Sequence, residues 1–234
     1  MTLRDRWEEN AEDWLRWART PGHDVYDRFH ARRFLELLPP AGRLTVDVGA
    51  GEGRLGRDLV ARGHRVAAVD ASPTLARACR IHAAPLPAVL ADAGALPLPN
   101  GCADLVVAFM SFQDVDELHP AMLEVARVLA AGGRFCMAIV HPVNSAGAFE
   151  GEEAAAPFVI RGSYLAPFLY HDDIERNGLH MSFHSAHRPL ETYSRALEAS
   201  GLVVEAIREV GADGPEDRWC NIPMFLHLLA RRLG

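Results

Sequence analysis

The sequence has little positive charge and no long apolar run, and each shortage argues against a class of protein. Its 24 lysine and arginine residues are outnumbered by 31 acidic residues, so the formal net charge is −7. A nucleic-acid-binding domain is instead expected to carry a basic patch. The longest apolar runs, 105–110 and 222–230, are too short to span a bilayer. We therefore expect neither a nucleic-acid partner nor a membrane partner.

Cysteine is also scarce, and its spacing has no pattern. Cys79, Cys102, Cys136 and Cys220 form no C-x-x-C pair. Scattered thiols of this kind are typical of buried cysteines in a reducing cytosol. The first residues are too charged for a signal peptide. Together these features predict a cytoplasmic protein.

The most informative segment that is present is VDVGAGEGRLG, residues 46–56. A short apolar run leads into Gly49, Gly51 and Gly53. Glycine lets the backbone approach a ligand closely, because it has no Cβ and tolerates positive φ. Asp70 ends the next apolar run, where a carboxylate can accept hydrogen bonds from ribose hydroxyls. The segment therefore predicts a site for a cofactor that contains a nucleoside.

Two cofactors compete for this segment. Gly51, Gly53 and Gly56 fit G-x-G-x-x-G, the dinucleotide fingerprint, in which a pyrophosphate lies on a helix N-terminus. Asp47, however, lies in the strand just before the turn. An acid at that position suits a cofactor that has a cationic end and no phosphate. A nicotinamide cofactor stays open as the alternative.

Asp47 and the glycines that follow it resemble motif I of class I S-adenosylmethionine-dependent methyltransferases. Three further blocks resemble the same family in the expected order, at 66–73, 91–117 and 127–142. A fourth block, 187–202, resembles a C-terminal block of bacterial small-molecule methyltransferases. The resemblance implies S-adenosylmethionine as the cofactor and S-adenosylhomocysteine as its product.

The resemblance also implies which residues contact the cofactor. Asp70 would bind the ribose hydroxyls, and Asp92 would bind the adenine amino group. The whole set of implied cofactor-binding residues is Asp47, Gly49, Ala50, Gly51, Gly53, Asp70, Ala71, Ser72, Asp92, Ala93 and Met110.

Strand-like and helix-like segments alternate along the chain, which predicts a parallel sheet with right-handed crossovers. The resemblance implies an α/β, Rossmann-like, seven-stranded class I methyltransferase sheet, with the last strand antiparallel and helices on both faces. We expect a single domain over 1–234, an N-terminal helical lid at 1–40, and a substrate-cap insertion at 142–186 between strand 5 and the next helix. Hydrophobic periodicity places one amphipathic helix at 3–19 and another at 26–38.

Methyl transfer requires no catalytic signature, because the enzyme mainly aligns the nucleophile, the methyl group and the sulfur. The predicted catalytic residues are His141, directly after strand 5, and His184, in the alternating segment 179–184; either would orient or deprotonate the acceptor. The alternatives are a turn residue for His141 and a solvent-facing residue for His184. No acid or cysteine joins His180, His184 and His187 at ligand spacing, so no metal site is predicted.

Other residues are candidates for substrate contact. Gln113, Asp114 and Asp116 follow strand 4, where related enzymes often place contacts to the acceptor. Helix N-capping by Asp116 is the alternative. Trp7, Trp14 and Trp17 lie in the N-terminal helix, where they would close over the site or simply pack the helix onto the domain.

The predicted function is S-adenosylmethionine-dependent methyl transfer to an oxygen or nitrogen of a small-molecule acceptor, by a soluble bacterial enzyme that is a monomer or a homodimer. One alternative is a protein of the same fold that binds the cofactor in a pericyclase-like or binding role without transferring methyl. A second alternative is a nicotinamide oxidoreductase. The acids and glycines of the site predict cofactor binding, but they do not identify the acceptor.

Overall fold

Strands and helices alternate along most of the chain in the computed structural model, which describes residues 1–234. The strands, in chain order, are β1 (Thr45–Val48), β2 (Val66–Asp70), β3 (Ala88–Leu90), β4 (Ala103–Phe109), β5 (Leu129–Val140), β6 (Gly147–Phe149), β7 (Phe158–Ile160), β8 (Phe168–Arg176), β9 (Leu179–His187), β10 (Leu202–Val210) and β11 (Phe225–Arg232). The helices are α1 (Leu3–Glu9), α2 (Ala11–Arg19), α3 (Ala31–Leu37), α4 (Arg54–Ala61), α5 (Pro73–Ile81), α6 (Leu118–Val128), α7 (Pro142–Ala146) and α8 (Leu190–Ala199). None of them has the length and apolar composition needed to cross a bilayer.

Seven of the strands form one sheet in the order β10-β11-β5-β4-β1-β2-β3. β1 pairs in parallel with β2 and with β4, and β4 pairs in parallel with β5. β11 runs antiparallel to both of its neighbours, β5 and β10. The predicted Rossmann-like sheet, with its last strand inserted antiparallel, is confirmed.

Helices cover both faces of the sheet. On one face, Met122 of α6 and Leu197 of α8 join the larger hydrophobic core. On the other face, Phe34 of α3 and Leu59 of α4 pack against the middle strands. Because both faces are covered, β4 is apolar along most of its length, as expected for a central parallel strand.

The predicted helix at 3–19 is wrong as a single element, because the chain turns at Asn10. The Asn10 side chain donates a hydrogen bond of 2.8 Å to the carbonyl of Arg6 and ends α1 there. Asparagine often competes for backbone groups in this way. The predicted helix at 26–38 begins instead with a π-helical turn, Tyr26–His30, which continues into α3.

The segment 142–186 contains α7 and two antiparallel hairpins, β6–β7 and β8–β9. The β8–β9 hairpin lies against the two N-terminal helices. Phe183 of β9 contacts Trp7, Trp14 and Trp17 edge-on, with ring centroids 6.4, 6.1 and 6.2 Å away. We call these four side chains the aromatic roof. It joins elements from the two ends of the chain.

Candidate cofactor and acceptor site

A cavity of about 520 Å³ lies at the carboxyl ends of β1, β2 and β4. Its volume is typical of small-molecule sites, which span about 300–1,000 Å³. This edge of an open parallel sheet is also where such folds bind ligands, near the point where the strand order reverses. Every residue of the predicted cofactor set lines the cavity except Gly53.

In the glycine turn after β1, two glycines are required for different physical reasons. Gly49, Gly51 and Gly53 all have positive φ, at 72°, 58° and 89°. A Cβ on Gly49 would overlap Ser111, so packing within the protein requires this glycine. A Cβ on Gly51 would meet no protein atom closer than 3.5 Å and would project toward the cavity. Gly51 therefore leaves room for whatever the cavity holds.

Asp47 is buried at the floor of this cavity. Its residue is 1% exposed, and neither carboxylate oxygen has a hydrogen-bond partner in the protein. Burial raises the pKa of Asp47 to about 7, and the nearby charge of Asp70 adds to the effect. A buried carboxylate without partners is costly unless a ligand supplies a cation or a hydrogen-bond donor. The position thus fits a cofactor with a positively charged group.

Asp70 connects the end of β2 to the glycine turn. Its Oδ2 accepts the Gly51 N–H at 2.7 Å, and its Oδ1 accepts the Ser72 N–H at 2.8 Å. Burial raises the pKa of Asp70 to about 6, although these two bonds act in the opposite direction. Each carboxylate oxygen has a second lone pair. Asp70 can therefore hold the loop and still accept hydroxyl groups of a ligand.

Asp92 lies at the rim of the cavity and is largely exposed. Its Oδ1 accepts the Gly94 N–H at 2.8 Å, and Arg4 of α1 lies 3.8 Å from its Oδ2. The rim is therefore where the N-terminal helix reaches the predicted adenine position.

Glu8 ties α1 to the start of α5. Its carboxylate accepts hydrogen bonds from the hydroxyls of Ser72 and Thr74, the latter at 2.7 Å. At the other end of α1, the Leu3 N–H donates to Asp116 at 2.7 Å. Asp116 thus caps α1 rather than the helix that follows it. The lid helix is held at both ends by residues beside the cavity.

A second polar group of residues lines the cavity beyond β4. The Ser185 hydroxyl donates to Asp114 Oδ1 at 2.6 Å, and Gln113 Nε2 donates to Oδ2 at 3.2 Å. Burial raises the pKa of Asp114 to about 8, against the opposing effects of Ser185 and the charge of Arg188. A carboxyl group whose pKa lies near neutrality suits proton transfer.

The structure brings neither predicted catalytic histidine to the cavity wall. His141 Nδ1 accepts the Val143 N–H at 3.0 Å, and its Nε2 faces Glu209 at 3.2 Å, so both ring nitrogens are engaged at the start of α7. Burial lowers the pKa of His141. His184 lies on the outer face of β9, where it stacks on His171. The catalytic roles of the two histidines stay predictions without support from this placement.

Sequence reasoning missed Ser185 as a cavity residue, whereas Tyr170 belongs to the predicted cap and does line the cavity. The alternation that was followed to His184 continues through β9 and places Ser185 on the same face as Phe183. That signal was available in the sequence. Tyr170 lies opposite Ser185 in the hairpin, and this register could not be inferred before β8 and β9 were known to pair.

Known proteins match the central part of the chain. Residues 46–137 match the family model described as a methyltransferase domain. Uncharacterized methyltransferases of Mycobacterium tuberculosis and Mycobacterium bovis are 41% identical over 98 residues, which cover 42% of this chain and 40% of theirs. A malonyl-[acyl-carrier protein] O-methyltransferase of Halorhodospira halophila is 34% identical over 143 residues, 56% of this chain and 48% of that one. The chain spans less than half the length of these relatives.

Solved structures match most of the chain. An S-adenosylmethionine-dependent methyltransferase from Mesorhizobium loti has a TM-score of 0.70 at 24% identity, over 86% of this chain and 96% of that one. The glycopeptide N-methyltransferase MtfA, complexed with S-adenosylmethionine, has a TM-score of 0.61 at 20% identity, and the match covers 87% of this chain and 92% of that one. The [4+2]-cyclase SpnF has a TM-score of 0.65 at 15% identity, and the match covers 100% of this chain and 97% of that one.

The fold is that of the class I S-adenosylmethionine-dependent methyltransferases, and residues 46–137 match the methyltransferase-domain model. The resemblance stated from motif I and the blocks that follow it is confirmed at the level of the fold and of this domain match.

Proposed function

We propose that this chain transfers the methyl group of S-adenosylmethionine to an oxygen or nitrogen of a small-molecule acceptor. The observation that carries the proposal is Asp47, a buried carboxylate with no partner in the protein, at the floor of a cavity beside the glycine turn. A nicotinamide dinucleotide brings a negatively charged pyrophosphate to such a turn, and Asp47 would repel it. A cationic cofactor would instead be attracted.

The residues present fit the proposed cofactor. Asp70 would accept the ribose hydroxyls, Asp92 would receive the adenine amino group, and the backbone of Gly49 and Gly51 would lie along the cofactor. Asp47 would face its positively charged end. The bound cofactor supplies an activated methyl group on a sulfonium, whose leaving group is a neutral thioether.

The aromatic roof would exclude water from the reacting groups. A Cβ placed on Gly51 would lie 3.5 Å from Trp14 Nε1, so the roof lies beside the cofactor turn. In a dry site, alignment of the reacting groups can supply roughly 7–11 kcal/mol of the barrier. We accordingly assign residues 1–40 as a helical lid and 142–186 as a substrate cap of a single 1–234 domain.

The roof also supports a small acceptor rather than a polymer, because the lid and the hairpin meet over the cavity. The Halorhodospira halophila relative is named for O-methylation, which supports oxygen as one of the two candidate atoms. The net charge of −7 supports a reaction without nucleic acid. A cytoplasmic location without a membrane partner, and assembly as a monomer or homodimer, complete the proposal.

The test uses S-adenosylmethionine whose methyl group carries deuterium. The full chain is incubated with this cofactor and a bacterial extract filtered to keep small molecules, and mass spectrometry then searches for a labelled acceptor. We expect a labelled product and an equal release of S-adenosylhomocysteine, both absent when Asp70→Asn protein is used. A chain that binds the cofactor but labels nothing in such extracts would support the non-methylating alternative instead.

A further inference from the structure

Four cavity residues beyond β4 have no part in the proposed cofactor site. Gln113 and Asp114 follow β4, while Tyr170 and Ser185 come from opposite strands of the β8–β9 hairpin. We call them the Asp114 patch. Because one half comes from the sheet edge and the other from the cap, the patch lies where the fold and its cap insertion meet.

The patch presents hydrogen-bond acceptors that the protein leaves free. Gln113 is 4% exposed, and its Oε1 has no partner, since its Nε2 donates to the Met110 carbonyl at 2.8 Å and to Asp114. Each Asp114 oxygen accepts one hydrogen bond and has a further lone pair. A buried amide oxygen without a donor is costly. The patch therefore calls for a ligand that donates hydrogen bonds.

No cation of the protein neutralises the patch by direct contact. The Arg188 guanidinium, whose charge acts on Asp114, donates to the backbone carbonyls of Phe112, Gln113, Val115 and Asp116, and not to the Asp114 carboxylate. A second acid, Asp172, also lines the cavity, and burial raises its pKa. Above the pKa of Asp114, a carboxylate ligand placed here would face negative charge and the free Gln113 oxygen, with the Tyr170 hydroxyl as the donor in the patch, which is unfavourable.

We propose that the Asp114 patch receives the methyl acceptor through an N–H or O–H group, that Asp114 takes its proton, and that the acceptor group is not a carboxylate. This inference rests on the proposed function and specifies its substrate class. The acceptor's lone pair forms the new C–N or C–O bond as the C–S bond breaks. The electron pair of that bond stays on sulfur, and the proton of the acceptor passes to an Asp114 oxygen.

The proposal separates this chain from the relatives named for malonyl-[acyl-carrier protein], since a malonyl group carries a carboxylate. It also assigns proton transfer to a residue other than His141 and His184. The raised pKa of Asp114, about 8, agrees with this role, because a general base is most effective when its pKa lies near the working pH.

The experiment compares three probes that differ only in the group they present: benzylamine, benzyl alcohol and benzoate. Binding to the full chain saturated with S-adenosylhomocysteine is measured at pH 8.5 by ligand-observed NMR. We expect the amine and the alcohol to bind at least tenfold more tightly than benzoate. Asp114→Asn should lower the affinity for benzylamine at least tenfold. The control Asp173→Asn, on the outer face of the hairpin, should lower it less than twofold.

A second matched pair guards against a misfolded variant. Ser185→Ala removes the hydroxyl that holds Asp114, whereas Ser182→Ala removes one that faces outward and bonds to Asp173. Only Ser185→Ala should weaken amine binding, and both should retain S-adenosylhomocysteine. The proposal is overturned if benzoate binds as well as the amine, if Asp114→Asn keeps the wild-type preference, or if the saturated protein binds none of the probes. If S-adenosylhomocysteine itself does not bind, the proposed function fails instead.

Discussion

At the scale of single residues, Asp47 places stability and function in opposition. Its pKa is about 7 in the folded protein, against an ordinary value of 3.8. Below about pH 4 the carboxyl is neutral in both states and costs nothing. As the pH rises toward 7, the unfolded chain releases its proton first, so the fold loses stability relative to the unfolded chain. Above pH 7 the whole cost is present.

Asp47→Asn should therefore stabilise the protein in the absence of cofactor. We expect the gain in Tm to be several degrees at pH 8 and much smaller at pH 5, since one kcal/mol shifts Tm by about 2–4 °C in a chain of this size. The same variant should bind S-adenosylmethionine more weakly. Scanning calorimetry at the two pH values measures the first effect. An unchanged Tm at pH 8 would contradict the unpartnered state of this carboxylate.

Gly51→Val should abolish cofactor binding, because the side chain would project into the cavity. Gly63→Val is a matched control. Gly63 has a φ of 90° and Gly51 a φ of 58°, and a Cβ on Gly63 would meet no atom within 4 Å. Gly63 does not line the cavity. Both variants carry the backbone strain of a β-branched residue at positive φ. Calorimetric titration with S-adenosylhomocysteine should show a loss above a hundredfold only for Gly51→Val. Near-native affinity would mean that the turn is only structural.

The residues of the cofactor side were predictable, and so were Gln113 and Asp114 on the acceptor side, whereas Ser185 of the cap was not. Asp47, Gly51 and Asp70 follow strands that are visible as apolar runs, and parallel strands bring their carboxyl ends to one edge. His184 was assigned by alternation alone. Alternation shows that residues share a face, but it does not say which face points inward, and Phe183 and Ser185 take the inner one.

At the scale of elements, the N-terminal helices and the β8–β9 hairpin depend on each other for burial. Their main contact is the aromatic roof, in which Phe183 meets three tryptophan rings. Edge-on aromatic pairs contribute about 0.5–1.5 kcal/mol each beyond the area they bury. The sheet core does not include these rings. The roof therefore packs apart from the core of the sheet.

Phe183→Ala should release the roof and speed the dissociation of S-adenosylhomocysteine by at least tenfold, with a small effect on Tm. The control is Leu169→Ala in the same hairpin, where Leu169 is 68% exposed and makes no roof contact. Stopped-flow tryptophan fluorescence follows the release directly, because the roof contains three of the four tryptophans. Equal rates for wild type and Phe183→Ala would show that the roof does not retain the cofactor.

The elements that sequence patterns missed are those governed by local polar contacts or by pairing. The break at Asn10 depends on one side-chain hydrogen bond to Arg6. β8 reads FLYHDDIER and has little apolar alternation, so it is a strand mainly because β9 pairs with it. The inner strands β1, β2 and β4 were found because each is a buried apolar run, whereas the edge strands β3 and β10 are largely exposed.

At the scale of the whole molecule, acids of the chain converge on one cavity. Asp47, Asp70, Asp92 and Asp114 all line it, in a chain whose net charge is −7. Arg4, Arg54 and Arg176 also line the cavity, but the acids outnumber them. A cleft with an excess of one sign of charge attracts ligands of the opposite sign. The cavity therefore favours a cationic cofactor over an anionic dinucleotide, in agreement with the methyltransferase-domain match over residues 46–137.

The most direct test is calorimetric titration of S-adenosylhomocysteine and of NADH into the wild type and Asp70→Asn. Two ribose hydrogen bonds to a carboxylate contribute about 1.5–3 kcal/mol each, and Asp70 also holds the Gly51 and Ser72 amides. We predict that the wild type binds S-adenosylhomocysteine and not NADH, and that Asp70→Asn loses at least a hundredfold in affinity while Asp173→Asn does not. Tight binding of NADH without binding of S-adenosylhomocysteine would contradict the account.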